Sequence, residues 1–195
     1  MAAAAGPATS RAGGLAALAV VLVGLPPAHR GLCLALAIAA LPPVLLYPSA
    51  KRWWGYPQAV LALCWGFAVL IPWAAAQGNL QGGWPLIALW LATLLWTFGF
   101  DTVYAMSDRE DDRRVGVRSS ALSLGDRAPQ VVGLCYGSAA LLLAWAAAVQ
   151  GVTPLFWLLW LLASGGWLRE ALRLQQPQLP RSAYALHFRH QVWLG

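Results

Sequence analysis

The chain has 195 residues, of which 59% are hydrophobic and only 10% charged, with 13 basic against 7 acidic side chains. Ordinary soluble domains carry about 25% charged residues, so this composition excludes a disordered chain. It also excludes a nucleic-acid binder, because the basic residues are too few to follow a phosphate track. The apolar residues fall in long blocks, which leaves an integral membrane protein.

A helix needs roughly 20 mostly apolar residues to cross the hydrocarbon. In chain order, six spans are expected near residues 12–28, 31–47, 58–76, 84–100, 129–149 and 154–172. The fold class is therefore all-α, a polytopic bundle of transmembrane helices. The first block is the weakest and resembles a signal peptide. Its flank, Pro26-Pro27-Ala28-His29-Arg30, is a poor cleavage site. Six spans place Arg11, Lys51, Arg52, Arg109, Arg113, Arg114, Arg118, Arg127, Arg169, Arg173, Arg181 and Arg189 on one side, and only Arg30 on the other. The positive-inside rule makes the rich side cytoplasmic. Trp53, Trp54, Trp84 and Trp193 sit at span ends, where indoles prefer the interface.

Five of the seven acids lie between Asp101 and Asp112. If the helix of the fourth span continues into this segment, Asp101, Asp108 and Asp112 fall within about 40° on one face. Glu110 points the other way. Like charges on one stripe repel, so the stripe calls for a cation. A hard, oxygen-preferring ion such as Mg²⁺ suits it, taking one or two carboxylates and filling its other positions with water and phosphate oxygens. The plain alternative is a solvated loop neutralised by Arg109, Arg113 and Arg114. Elsewhere the expectations are modest. Cys33, Cys64 and Cys135 read as small core residues, His187 and His190 as a solvated end, and Glu170 with Arg169 and Arg173 as a surface pair.

The segment Asp101-Thr-Val-Tyr104-Ala105-Met-Ser-Asp108-Arg-Glu-Asp111-Asp112, followed by Val115-Gly116-Val117-Arg118-Ser119-Ser120-Ala121, resembles the second aspartate-rich motif of UbiA-type membrane prenyltransferases. Its spelling is most similar to the 4-hydroxybenzoate polyprenyltransferases of ubiquinone synthesis. Tyr47-Pro48-x-x-Lys51-Arg52, then Pro57-Gln58 and Ile71-Pro72, resembles a second pattern of the same group. The resemblance implies Mg²⁺-dependent transfer of a polyprenyl group from polyprenyl diphosphate to the ring of 4-hydroxybenzoate, at the cytoplasmic face of a bacterial inner membrane. It assigns metal binding to Asp101, Asp108, Asp111 and Asp112, and catalysis to Asp101, Tyr104, Asp108 and Asp112. Lys51, Arg52 and Arg118 would bind diphosphate or the benzoate carboxylate, and the prenyl tail would lie among apolar helices open to membrane lipid.

The family's first aspartate-rich motif has no counterpart, because no acid precedes Asp101. Its fold has nine helices where six spans are read here. The expectation is a partial domain over residues 1–195, inactive by itself, with a missing N-terminal segment carrying the first motif. The competing expectation is a non-catalytic membrane remnant, or one half of a split enzyme, that binds isoprenoid lipid.

Overall fold

The computed structural model describes residue 24, residues 26–176 and residues 179–194. Every regular element among the described residues is helical. Helix α1 runs Pro27–Trp53, α2 Pro57–Gln77, α3 Gly83–Ser107, α4 Arg109–Val115 and α5 Ser120–Leu124. A 3-10 turn at Gly125–Arg127 leads into α6 Ala128–Gln150, then α7 Pro154–Leu174 and α8 Arg181–Leu194.

The helix ends follow from local chemistry. Helices α1, α2, α6 and α7 open with proline in the first turn, where a missing N–H costs nothing. Helices α2 and α6 close on Gly78 and Gly151, both left-handed at φ 69° and 64°, a conformation only glycine adopts without strain. Lys51 and Arg52 occupy the last turn of α1, where cations complement the helix dipole.

Consecutive long helices pack as neighbours in the order α1, α2, α3, α6, α7, and α8 docks on α3 and α7. The tightest seam is α3 against α6. A Cβ on Gly99 would stand 3.0 Å from the Tyr136 ring and 3.2 Å from Cys135 Cβ, so glycine sets the approach of these two helices. The core joins Ala92 and Val103 of α3 to Val132, Tyr136, Ala139 and Ala140 of α6, and to Trp167, Ala171 and Leu174 of α7. The outward faces are strongly apolar, as with Leu155, Leu158, Leu159, Leu161 and Leu162 on α7. That is an arrangement suited to lipid rather than water.

Helices α1, α2 and α3 are each long and apolar enough to cross a membrane, as is the continuous stretch Ser120–Gln150 that includes α6. The span expected at 154–172 coincides with α7. It is not among those four, and it carries Arg169 and Glu170 in its final turns. The span expected at 12–28 lies almost wholly outside the described residues.

Three local expectations are corrected. The helix of the fourth span does continue past Asp101, but it breaks at Asp108 (φ −105°, ψ 6°) before α4 resumes. The Ser107 hydroxyl donates to the Tyr104 carbonyl (2.7 Å) and to Asp108 Oδ1 (3.0 Å). Such side-chain bonds compete with the helical ladder, so the acids do not form one unbroken stripe. Glu170, expected on the surface, is instead buried, with 5% of its side chain exposed. Its carboxylate accepts from His190 Nδ1 (2.8 Å), lies 3.3 Å from His187 Nδ1 and 3.5 Å from the Arg173 guanidinium. His187 is likewise buried rather than solvated, and its Nε2 meets the Tyr136 hydroxyl at 2.9 Å. Folding α8 back onto α7 assembles this network. Cys33 and Cys135 are buried and Cys64 half-buried, all as free thiols.

Candidate functional site at the acidic end of the bundle

The turn between α1 and α2 and the loop after α4 are bound together. Arg118 N donates to Lys51 O (2.7 Å), Ser123 Oγ to Gly55 O (2.7 Å), and Ser120 N to the buried Gln58 Oε1 (2.8 Å). Thr102 of α3 completes the clamp, its hydroxyl 2.8 Å from that of Ser120. Gly55 is required here, since a Cβ would fall 2.7 Å from Ser123 Oγ. Pro57-Gln58 and Ser119-Ser120 thus act as scaffold. They hold the acidic segment against the end of α1.

Within that frame Lys51 becomes the shared cation. It interacts electrostatically with both Asp101 of α3 and Asp112 of α4. Tyr47 lies four residues earlier on the same face of α1. Its hydroxyl is close enough to the Asp101 carboxylate for the two to perturb each other, and its ring lies 5.7 Å from Lys51 Nζ. Asp112 is half-buried. Burial pushes its carboxyl pKa up, the neighbouring carboxylates of Asp108 and Asp111 push the same way, and the Ser119 hydroxyl and Lys51 oppose them. Asp108 and Asp111 face a different partner. Arg181, the first residue of α8, donates to Asp108 Oδ1 (3.2 Å) and Asp111 Oδ2 (2.7 Å). These bonds raise the Arg181 pKa further above its ordinary value.

The structure therefore brings together Asp101, Asp112 and Lys51, and sets Asp108 and Asp111 beside them under Arg181. Tyr104 is exposed next to this group, edge-on to Phe188 at 5.4 Å. Arg52 stands exposed in the last turn of α1. Arg118 is turned onto the end of α1, where its guanidinium donates to Trp53 O at 2.7 Å. Sequence reasoning gave no role to Tyr47, Ser119 or Arg181. The i,i+4 spacing of Tyr47 and Lys51 was a usable signal for the first. Arg181 comes from 70 residues beyond Asp111 and gave no local signal. Among the described residues, no three His, Cys, Asp or Glu side chains converge into a cage for a metal ion.

A family model for the UbiA prenyltransferase family matches residues 4–193. The chain belongs to the UbiA prenyltransferase family. It is 43% identical over 161 residues to a 4-hydroxybenzoate solanesyltransferase of Synechocystis, covering 82% of this chain and 54% of that protein. A 4-hydroxybenzoate octaprenyltransferase of Paraburkholderia phytofirmans is 35% identical over 162 residues, with the same coverage of each chain. One from Azoarcus is 35% identical over 186 residues, covering 94% of this chain and 62% of the relative. The chain thus spans a little over half the length of these relatives. No solved structure gives a significant match. Family membership and the four long apolar helices make it an integral membrane protein of UbiA type.

Proposed function

We propose that the cluster around Lys51 is the diphosphate end of an aromatic prenyltransferase site, which joins a polyprenyl group to the ring of 4-hydroxybenzoate for ubiquinone synthesis. The observation that carries this reading is the placement of one lysine between two carboxylates from different helices, Asp101 and Asp112. The site lies at the end of a bundle whose outer faces suit an isoprenoid tail. The names of the relatives support the acceptor and the class of donor.

Asp112, with Asp108 and Asp111 close enough to perturb it, fits a hard divalent cation that takes one or two carboxylates rather than a protein cage. Bound there, Mg²⁺ would neutralise the diphosphate as the allylic C–O bond breaks. The remaining work falls to the chain itself. Lys51 offers its ammonium to diphosphate oxygens. Asp101 holds Lys51 from one side, and Tyr47 fixes Asp101 from the other. Tyr104, exposed at the rim, orients the acceptor over the allylic carbon. The ring carbon forms the new C–C bond, diphosphate departs with the bonding pair, and the ring loses a proton. Arg52 extends the positive field at the mouth, a pull that anions feel over about 10 Å. Arg118 fixes the backbone that carries Lys51.

By the positive-inside rule this end faces the cytoplasm of a bacterial inner membrane. The test is prenyl transfer to 4-hydroxybenzoate, with and without Mg²⁺, by this sequence extended to the length of its relatives. Asp108→Asn or Asp112→Asn in that form is expected to remove nearly all turnover, and retained turnover would sink the assignment. The 195-residue chain alone is expected to show little or none.

A further inference from the structure

Arg181 opens α8, and its guanidinium lies on two of the acids proposed for the divalent cation, 2.7 Å from Asp111 Oδ2 and 3.2 Å from Asp108 Oδ1. A carboxylate oxygen that accepts from a guanidinium has part of its lone-pair capacity engaged. The positive charge beside it also repels a second cation. A divalent ion on these two acids and a docked Arg181 therefore oppose each other.

Three features make Arg181 the partner that can leave. Its side chain is 67% exposed, more than that of Asp108 or Asp111, so water solvates the guanidinium once it is released. It stands in the first turn of α8, which contains no acid of its own. A cation at a helix N-terminus is opposed by the helix dipole, so the pairing rests on Asp108 and Asp111 and not on α8. The rest of α8 is fastened elsewhere. Tyr184 packs against the core, His187 meets the Tyr136 hydroxyl at 2.9 Å, and His190 meets Glu170 at 2.8 Å. Phe188 lies against Phe100, with ring centroids 4.4 Å apart. The guanidinium can thus swing into water while the helix stays docked.

We propose that Arg181 is an autoinhibitory contact, an internal cation that covers Asp108 and Asp111 and must swing away before a divalent ion binds them. The proposal rests on the metal reading of this site and deepens it by naming what controls entry of the ion. While Arg181 is docked, it offsets the repulsion between the neighbouring acids. When it leaves, both carboxylates are freed together, because one side chain holds the two.

The test is Mn²⁺ binding to the chain in phosphatidylcholine nanodiscs, read by electron paramagnetic resonance at fixed neutral pH without diphosphate. Mn²⁺ shares the preference of Mg²⁺ for carboxylate and water oxygens. Arg181→Ala is expected to tighten binding about two- to fivefold, and Arg181→Gln serves in its place if the alanine variant does not fold. Arg181→Lys keeps the charge and is expected to stay nearer the native affinity. Arg127→Ala removes an exposed basic residue outside the contact and is expected to leave the affinity nearly unchanged. Equal affinity in the native chain and Arg181→Ala overturns the proposal and leaves the metal site standing. An equal gain in Arg127→Ala also overturns it, because the effect would then be one of overall charge. If neither the native chain nor Arg181→Ala binds Mn²⁺ in a way that Asp112→Asn reduces, the metal reading falls, and the proposal falls with it.

Discussion

Two acid–base assemblies lie toward the same end of the bundle, and they are built on opposite terms. At the mouth, Asp108 and Asp111 meet Arg181, whose side chain is 67% exposed. Between α6, α7 and α8, Glu170 meets His187, His190 and Arg173 with 5% of its side chain exposed. An exposed ion pair is worth about 0–1 kcal/mol, so the mouth can exchange its internal cation for another at small cost. A buried carboxylate whose partners are removed is penalised by several kcal/mol, so the interior network is fixed in place. One assembly is suited to binding, the other to holding α8 against the bundle.

The largest expected effect breaks the fixed side. Removing one partner of a buried charged network costs about 3–5 kcal/mol. Glu170→Ala strands the buried His187 and takes the shared carboxylate from the partly exposed His190 and Arg173, so a loss toward the lower end of that range is expected in thermal unfolding of the detergent-solubilised chain. Asp108→Ala, measured the same way, is expected to change stability by less than about 1 kcal/mol. Equal losses would erase the distinction. Next in size is Lys51→Met. It removes a charged donor worth about 1.5–3 kcal/mol and is expected to weaken prenyl-diphosphate binding at least tenfold while leaving unfolding nearly unchanged.

A pH series sharpens the comparison further. Burial pushes His187 down from its ordinary 6.5 to about 4, against the opposing pull of Glu170. In that window the unfolded chain binds a proton that the folded chain refuses. The contribution is therefore present above about pH 6.5 and lost as pH falls toward 4. The melting temperature is expected to decline across that window, and His187→Gln to flatten the decline. The smallest expected effect is Arg181→Ala, which should leave the melting temperature nearly unchanged because the guanidinium is fully exposed and its ion pairs are screened by water. Its value lies in the contrast with Glu170, since both remove a residue that ties α8 to the rest of the chain.

The difference between the assemblies also explains what could be read from the amino-acid order. Long apolar blocks bounded by proline and glycine made the spans legible, because the hydrocarbon demands length and composition rather than particular partners. Asp101, Asp108, Asp111 and Asp112 were legible because they are crowded into one segment. The break at Asp108 was not, since it depends on where the Ser107 hydroxyl turns. Glu170 and His187 misled for a different reason. Beside Arg169 and Arg173, a glutamate reads as a surface pair, and a histidine near a basic end reads as solvated. Only the return of α8 onto α6 and α7 brings Tyr136, Glu170 and His187 within reach of one another. Arg181 was hidden for the same reason, as a partner chosen by tertiary packing.

The most direct measurement is calorimetric binding of a non-reactive prenyl thiodiphosphate to the chain in nanodiscs, with and without Mg²⁺, for the native sequence and Asp112→Asn. Because Asp112 holds its proton to a higher pH than an ordinary aspartate, the Mg²⁺-dependent part should weaken on acidification before an ordinary carboxylate would titrate. The expected result is binding that requires Mg²⁺ in the native chain and is lost in Asp112→Asn. Equal binding by both, or binding indifferent to Mg²⁺, would contradict the placement of the diphosphate site at Lys51, Asp101 and Asp112.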